Sequence, residues 1–327
     1  MRQTRAKLPV GECGGKDQCQ LAKYRFIFSN KISLKVRKVM EYLYKGLYLD
    51  RECGNNAFSY NKRKNKKIYI PPMKKLPYKV DEILNNLIQS DKTAFSEYDE
   101  ILQKQYDIKG IENFIYCDDN DKKLYVFDNH NHSFYFIAGN VVRDARRYAK
   151  ISEYEQVLID FLDEGLSVKK SMMIHFDQHK DMRVPNYTLS KAIEKIKEDE
   201  YIYSLKSRDF DYDYKILYDY TNYFLNVGNF IVPLLENKFI KDVVIVDSTY
   251  SMTKLKSDID FYDEVILDID LDFFSPEMDY IDEDEKIELI KRSYEKAKII
   301  TICTSPYFID FERAKKKLEK ILKNCIR

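Results

Sequence analysis

The chain has 327 residues, enough for one large domain or for a domain with an appendage. Its 55 basic and 54 acidic residues leave a net charge of +1, which excludes a general binder of nucleic acid or of membrane surfaces. A hydrophobic content of 44% supports a real core and excludes wholesale disorder. The start, Met1 to Lys7, is basic, but no apolar run of signal-peptide length follows it. No segment is long enough to cross a bilayer, so a cytoplasmic protein is expected. Cys13, Cys19, Cys53, Cys117, Cys303 and Cys325 are scattered without a Cys-x-x-Cys pair. That pattern points away from a zinc ribbon or a disulfide framework and toward free thiols in a reducing compartment. Cys13 and Cys19 bracket a short Gly-rich loop that oxidation could close.

Residues 1–20, with Gly11, Gly14 and Gly15, read as a flexible arm. Ile32, Val36, Val39, Met40, Leu43 and Leu47 predict a helix over 31–48. The basic run Asn61 to Lys67 reads as a solvated loop, with a grip on an acidic partner as the functional alternative. Pro71, Pro72 and Pro77 break the chain, and two helices are expected near 80–89 and 94–105. Residues 1–110 thus read as a mainly helical extension without recognisable chemistry.

From about residue 112 short strands alternate with amphipathic helices. Strands are predicted at Leu124–Phe127, Ser171–Phe176, Val243–Val246, Val265–Leu267 and Ile299–Cys303. Helices are predicted at Ser133–Ala149, Ser152–Glu164, 188–198, 219–237, Asp284–Ala297 and 310–325. This alternation predicts an α/β catalytic domain over 111–327, with a mostly parallel sheet covered by helices on both faces. In such sheets ligands bind beyond the carboxyl ends of the strands.

Three polar clusters fall at predicted strand ends. The first is Asp128-Asn129-His130-Asn131-His132-Ser133 and the second is His175-Phe176-Asp177-Gln178-His179-Lys180-Asp181. The third is Leu267-Asp268-Ile269-Asp270-Leu271-Asp272-Phe273-Phe274, with acids at every second position of an apolar run. On a strand the three acids share one side, where buried and unpaired they would repel one another. A bound cation relieves that repulsion. All four histidines of the protein lie in the first two clusters. Carboxylates and imidazoles together suit manganese, with iron, cobalt or zinc as lesser options. Four carboxylates with two imidazoles carry more charge than one divalent ion needs, which favours two metals.

These residues carry a resemblance. Asp177-x-His179-x-Asp181 resembles the Asp-Ala-His-x-Asp motif of the arginase and agmatinase superfamily. Asp270-x-Asp272-x-x-Ser275-Pro276 resembles its Asp-x-Asp-x-x-Asp-Pro motif, with Ser275 in place of the last aspartate. Val126-Phe127-Asp128-Asn129-His130 is similar to its Gly-Gly-Asp-His segment. Gly228-Asn229-Phe230-Ile231-Val232-Pro233 and Thr304 to Asp310 add likeness to a divergent branch that includes peptide arginases, which act in the maturation of ribosomally made peptides. The match covers roughly 112–327.

The resemblance implies a three-layer arginase-like fold and two manganese ions per chain. His130, Asp177, Asp181 and Asp270 would hold one ion. His179, Asp177, Asp270 and Asp272 would hold the other. Asp181 would also orient a bridging hydroxide. His132 is the alternative to His130 as ligand, and otherwise a proton shuttle. His175 and Asp268 would orient ligands from behind, and Asn229 and Ser305 are candidate substrate contacts. Two expected features of the small-molecule arginases are missing. No separate histidine stands between the first two motifs to relay protons, and Thr301 to Pro306 lacks the acid that holds the guanidinium. Asp310 or Glu312 could substitute for it. The implied activity is hydrolysis of arginine side chains in a peptide to ornithine and urea. The alternatives are a small-molecule ureohydrolase acting on a compound such as agmatine and a metal-stabilised binding protein without catalysis. The expected partner is an arginine-containing peptide, which residues 1–110 could hold; a homo-oligomer is left open.

Overall fold

The computed structural model describes residues 43–55, 60–119, 121–149, 171–199 and 212–326. They begin with strands β1 (Lys45–Leu49) and β2 (Ile68–Leu76), helix α1 (Val80–Asn86), and a long hairpin of β3 (Gln89–Asp99) and β4 (Lys104–Ile111). Next come β5 (Phe114–Asp118), β6 (Lys123–Phe127), α2 (His132–Ala149), β7 (Met172–Phe176), α3 (Leu189–Glu198) and α4 (Tyr212–Asp219). The chain continues through α5 (Ile231–Glu236), β8 (Asp242–Val246), α6 (Thr249–Asp258) and β9 (Val265–Asp270). It closes with α7 (Glu283–Lys296), β10 (Ala297–Cys303) and α8 (Phe311–Cys325).

Eight strands form one sheet in the order β1-β2-β5-β6-β10-β9-β7-β8, while β3 and β4 pair with each other. From β6 through β10, β9 and β7 to β8 every neighbour is parallel. The carboxyl ends of β6, β10, β9 and β7 therefore open along one edge, the place where α/β sheets bind ligands. All six residues of β9 are buried, as expected for a strand covered on both faces. The helices pack in two groups, α2 to α5 on one hand and α6 to α8 on the other, and each group touches the sheet. In α8 the apolar stripe Ala314, Leu318, Ile321 and Leu322 is buried, and Asp310 caps the helix by accepting from the Arg313 amide.

Several expectations change. The helix expected at 94–105 is the β3–β4 hairpin, where Ala94 and Ser96 are buried at strand spacing. The end of the helix expected over 31–48 is strand β1, paired with β2. The prolines obscured β2: it pairs with β1 through Ile68–Pro72 and with β5 through Met73–Leu76. Pro71 and Pro72 thus lie where the strand has one neighbour, which proline tolerates. The mainly helical extension is therefore, from Lys45 onward, largely strand, and β1 and β2 belong to the central sheet; the compact unit spans Met40–Arg327. The helix expected over 219–237 is broken by a turn. There Asn229 accepts from the Asn226 amide and Asn226 accepts from the Gly228 amide. The arm at 1–20, the first part of the 31–48 helix and the helix at 152–164 lie outside the described residues. Among the described residues no helix is long and apolar enough to cross a membrane.

Candidate metal centre

The register of the sheet builds the site in two rows. Tyr125, Thr301, Asp268 and His175 are level across β6, β10, β9 and β7. Two residues further on, Phe127, Cys303 and Asp270 are level, and the turns after the strands bring in His130, Asp177, His179, Asp181 and Asp272. The deeper row is a closed hydrogen-bond set around Asp268. Its Oδ2 meets His130 Nε2 at 2.8 Å and His175 Nδ1 at 2.7 Å. Its Oδ1 accepts from the Ser133 hydroxyl at 2.6 Å and from the Thr301 hydroxyl. Burial opposes the charge on Asp268, but His130 and His175 outweigh it and hold the carboxyl well below the usual range.

The outer row has the reverse character. His130 Nδ1 lies 3.1 Å from Asp177 Oδ2, 3.0 Å from Asp181 Oδ2 and 3.0 Å from Asp270 Oδ2. One ring nitrogen carries at most one proton, so it cannot serve three carboxylates. Moreover, in the neutral ring a proton on Nε2 shared with Asp268 leaves the Nδ1 lone pair for a cation. On the other side of Asp177, His179 Nδ1 lies 2.9 Å from Asp272 Oδ2 and 3.4 Å from Asp177 Oδ1. Asp177, His179 and Asp272 thus form a second ligand group beside His130, Asp177 and Asp181, with Asp177 common to both. His130 Nδ1, Asp177 Oδ2 and Asp272 Oδ2 are buried and have no hydrogen bond of proper geometry. Such atoms are costly unless something positive satisfies them. This donor set of carboxylates and imidazoles fits divalent cations.

Proton affinities follow the crowding. Burial, then the Asp177 charge, pushes Asp181 up to about 6. Burial and neighbouring carboxylates likewise raise Asp270 and Asp272. Hydrogen bonding with Asp177 and Asp272 lifts His179 up to about 10. Burial lowers the affinity of His130 for a proton, but the Asp268 and Asp270 charges outweigh it. In the metal-free protein the cluster therefore holds protons where cations would sit.

The backbone is shaped to this purpose. Asp181 has φ +49° and Ser305 φ +45°, left-handed values that a non-glycine residue seldom adopts. The first turns the Asp181 carboxylate back onto His130. The second brings the Ser305 hydroxyl to Asp270 Oδ2 at 2.6 Å. Asp270 Oδ1 accepts from the Asp272 amide at 2.8 Å, which closes a tight turn. Asp272 therefore lies just past the strand, where the sequence pattern placed it on the strand face with Asp268 and Asp270. Ser275, which stands where the superfamily motif has aspartate, donates to Gln178 Oε1 at 2.8 Å, and the Gln178 amide donates to Asp272 Oδ1.

The structure brings His130, His175, Asp177, His179, Asp181, Asp268, Asp270 and Asp272 together. It does not bring in His132. That ring begins α2, contacts the rings of Phe114, Phe127 and Tyr44, and its Nδ1 meets the Tyr44 hydroxyl at 2.9 Å. Burial drives its pKa down to about 3, and these partners turn the ring away from the cluster. Asn229 uses its side-chain oxygen in the turn with Asn226, and Ser305 donates to Asp270; neither lines the cleft. Asp310 caps α8, and neither it nor Glu312 lines the cleft.

Other residues went unnoticed in the sequence. Cys303 is level with Asp270, lies in reach of His130 and Asp270, and donates to the Asp128 carbonyl at 3.0 Å. Its register two positions after Thr301 was the available signal. The neighbours of His130 in the first motif grip the preceding chain. Asn129 donates to the Ala94 carbonyl at 2.8 Å, and Asn131 accepts from Asn55 at 2.9 Å. Asp128 packs against Gly110, where a Cβ would lie 2.1 Å from its carboxylate. Gly54 meets the Leu225 carbonyl just as closely, so both glycines are needed for the approach.

These grips set one wall of a cleft of about 960 Å³. His179, Asp181 and Asp270 line its metal end, and Glu52, Arg63, Phe95 and Glu97 come from the preceding chain.

No known protein family and no curated protein sequence matches this chain. Among solved structures, the agmatine ureohydrolase of Thermoplasma volcanium is similar at 12% identity, over 57% of this chain and 82% of that one, with a TM-score of 0.27. So slight a likeness bears on neither mechanism nor substrate.

Proposed function

We propose that the protein hydrolyses guanidinium groups with the help of two divalent cations, manganese by preference, and that its substrate is an arginine side chain within a peptide. The observation that carries this reading is the pair of ligand groups sharing Asp177, with buried lone pairs turned toward one another. His130, Asp177, Asp181 and Asp270 would hold one ion, and Asp177, His179, Asp270 and Asp272 the other. Cations held there would lower the pKa of a bound water and so supply a nucleophile at neutral pH.

A guanidinium carbon is a poor electrophile because its charge is delocalised over three nitrogens. The site answers with positioning and charge. Asp181, whose Oδ2 lies 3.0 Å from His130 Nδ1 at the centre of the cluster, would take a proton from the attacking water and return it to the departing amine. With His132 enclosed, this exchange falls to Asp181. Asp268 fixes the rings of His130 and His175, so His130 Nδ1 is held toward Asp177, Asp181 and Asp270 without rearrangement. Water adds to the guanidinium carbon, the bond to the side-chain nitrogen breaks, and urea leaves while ornithine remains in the peptide. A peptide substrate is favoured by the cleft, since about 960 Å³ accommodates far more than one arginine side chain.

The test is incubation of the manganese-loaded protein with arginine-containing peptides, free arginine and agmatine. The expected result is urea, with loss of CN2H2 from the peptide in mass spectrometry. Bound metal without urea from any of the three overturns the hydrolase reading. Urea from agmatine or free arginine alone overturns the peptide substrate.

A further inference from the structure

The cleft carries acids that the metal centre does not use. Asp181 and Asp270 belong to the ligand groups, whereas Glu52 and Glu97 stand apart from them. Glu52 is exposed. Glu97 is half-buried on β3 and lines the cleft together with Tyr307. Tyr307 follows β10, next to the stretch that lacks the expected guanidinium-holding acid.

Aromatic rings connect Glu97's surroundings to the metal end. The Phe95 ring lies 5.1 Å from Tyr307, Tyr307 lies 4.8 Å from Phe308, and Phe308 lies 4.7 Å from His179. All four line the cleft. Glu97 stands at the hairpin end of this wall and His179 at the metal end. A side chain that reaches His179 with its guanidinium leaves Glu97 facing the adjoining part of the substrate. A carboxylate beside the rings of Phe95 and Tyr307 suits a cation on a long aliphatic stem. Arg63 also attracts Glu97, but its guanidinium donates to the Ser96 carbonyl, on the residue next to Glu97.

We infer that Glu97 is a specificity-determining residue that receives a positively charged residue adjoining the target arginine, with Phe95 and Tyr307 beneath its stem. The inference rests on the peptide substrate proposed above. It assigns a binding role to the β3–β4 hairpin, whose anchors at Ala94 and Gly110 fasten it to the loop of the metal ligand His130.

Two fluorescent peptides test it, identical except that the residue beside arginine is lysine in one and norleucine in the other. Their affinities are measured by anisotropy with manganese-loaded wild type, Glu97→Gln and Glu97→Lys, alongside urea release and thermal melting. Wild type should favour the lysine peptide about tenfold, the worth of one charge-assisted hydrogen bond. Glu97→Gln should remove the preference and leave the norleucine peptide unaffected, and Glu97→Lys should reverse it. A purely structural role would weaken both peptides alike and would overturn the inference. Equal binding of both peptides by wild type, with urea released from each, overturns the role of Glu97 and leaves the proposed reaction standing. Binding of neither peptide overturns both.

Discussion

Asp268→Asn separates the charge of the inner row from its shape. Asp268 is fully buried and is not needed as a metal ligand, yet four groups converge on it: His130, His175, Ser133 and Thr301. In the variant an amide oxygen can still accept from the two imidazoles, and the amide nitrogen can donate to the two hydroxyls, which are able to accept. The packing is kept and the negative charge is lost. His130 then becomes a weaker donor through Nδ1, the atom that faces Asp177, Asp181 and Asp270. Outer partners of this kind contribute about 10- to 100-fold in metal affinity, or about 1.4 to 2.7 kcal/mol. The assay is competition between the protein and a chelator of known manganese affinity, with circular dichroism to verify the fold. Weaker binding of one ion of the two is expected, since His179 has no bond to Asp268. Manganese affinity within twofold of wild type would refute the reasoning, as would equal weakening of both ions.

Three further outcomes are expected. Adding manganese to metal-free protein near pH 7.5 in weak buffer should release protons, because His179 is held up to about 10 by Asp177 and Asp272 and must lose its proton to ligate; no acidification would contradict the ligand role. Gly110→Ala should destabilise the fold by about 1 to 3 kcal/mol in urea denaturation, since its Cβ would lie 2.1 Å from the Asp128 carboxylate and 2.5 Å from Ala94 Cβ. Asp219 is raised to about 7 by burial, which Lys215 only partly offsets. Between about pH 4 and pH 7 the folded state keeps that proton while the unfolded state gives it up, so this group's contribution to stability falls as pH rises. Asp219→Asn should therefore gain on wild type through that window in paired urea titrations, by up to about 4 kcal/mol; a gap that is flat with pH would count against it.

The sequence made some levels of this structure readable. Parallel strands announce themselves as short apolar runs, and Val265-Ile266-Leu267 or Ile299 to Cys303 could be little else in an alternating chain. Acids and histidines at the ends of such runs are costly without a partner, which is why His130, Asp177, His179, Asp181, Asp270 and Asp272 stood out. His132 misled because proximity along the chain was read as proximity in space. One residue into α2 its ring turns to Tyr44, Phe114 and Phe127. The hairpin was lost because Thr93 to Tyr98 mixes polar and aromatic residues, a texture that a helix shares. Asn129 and Asn131 belonged to the first motif, but nothing in the sequence assigned them a role. Their value lies in distant backbone at Ala94 and in Asn55, which only the folded chain brings near.

The central claim is that Asp177 joins two cation sites. It is tested most directly by anomalous scattering from a crystal grown with manganese. Two peaks about 3.5 to 4 Å apart, one beside His130 and one beside His179 with Asp177 between them, are predicted. A single peak, or none among these side chains, would contradict it.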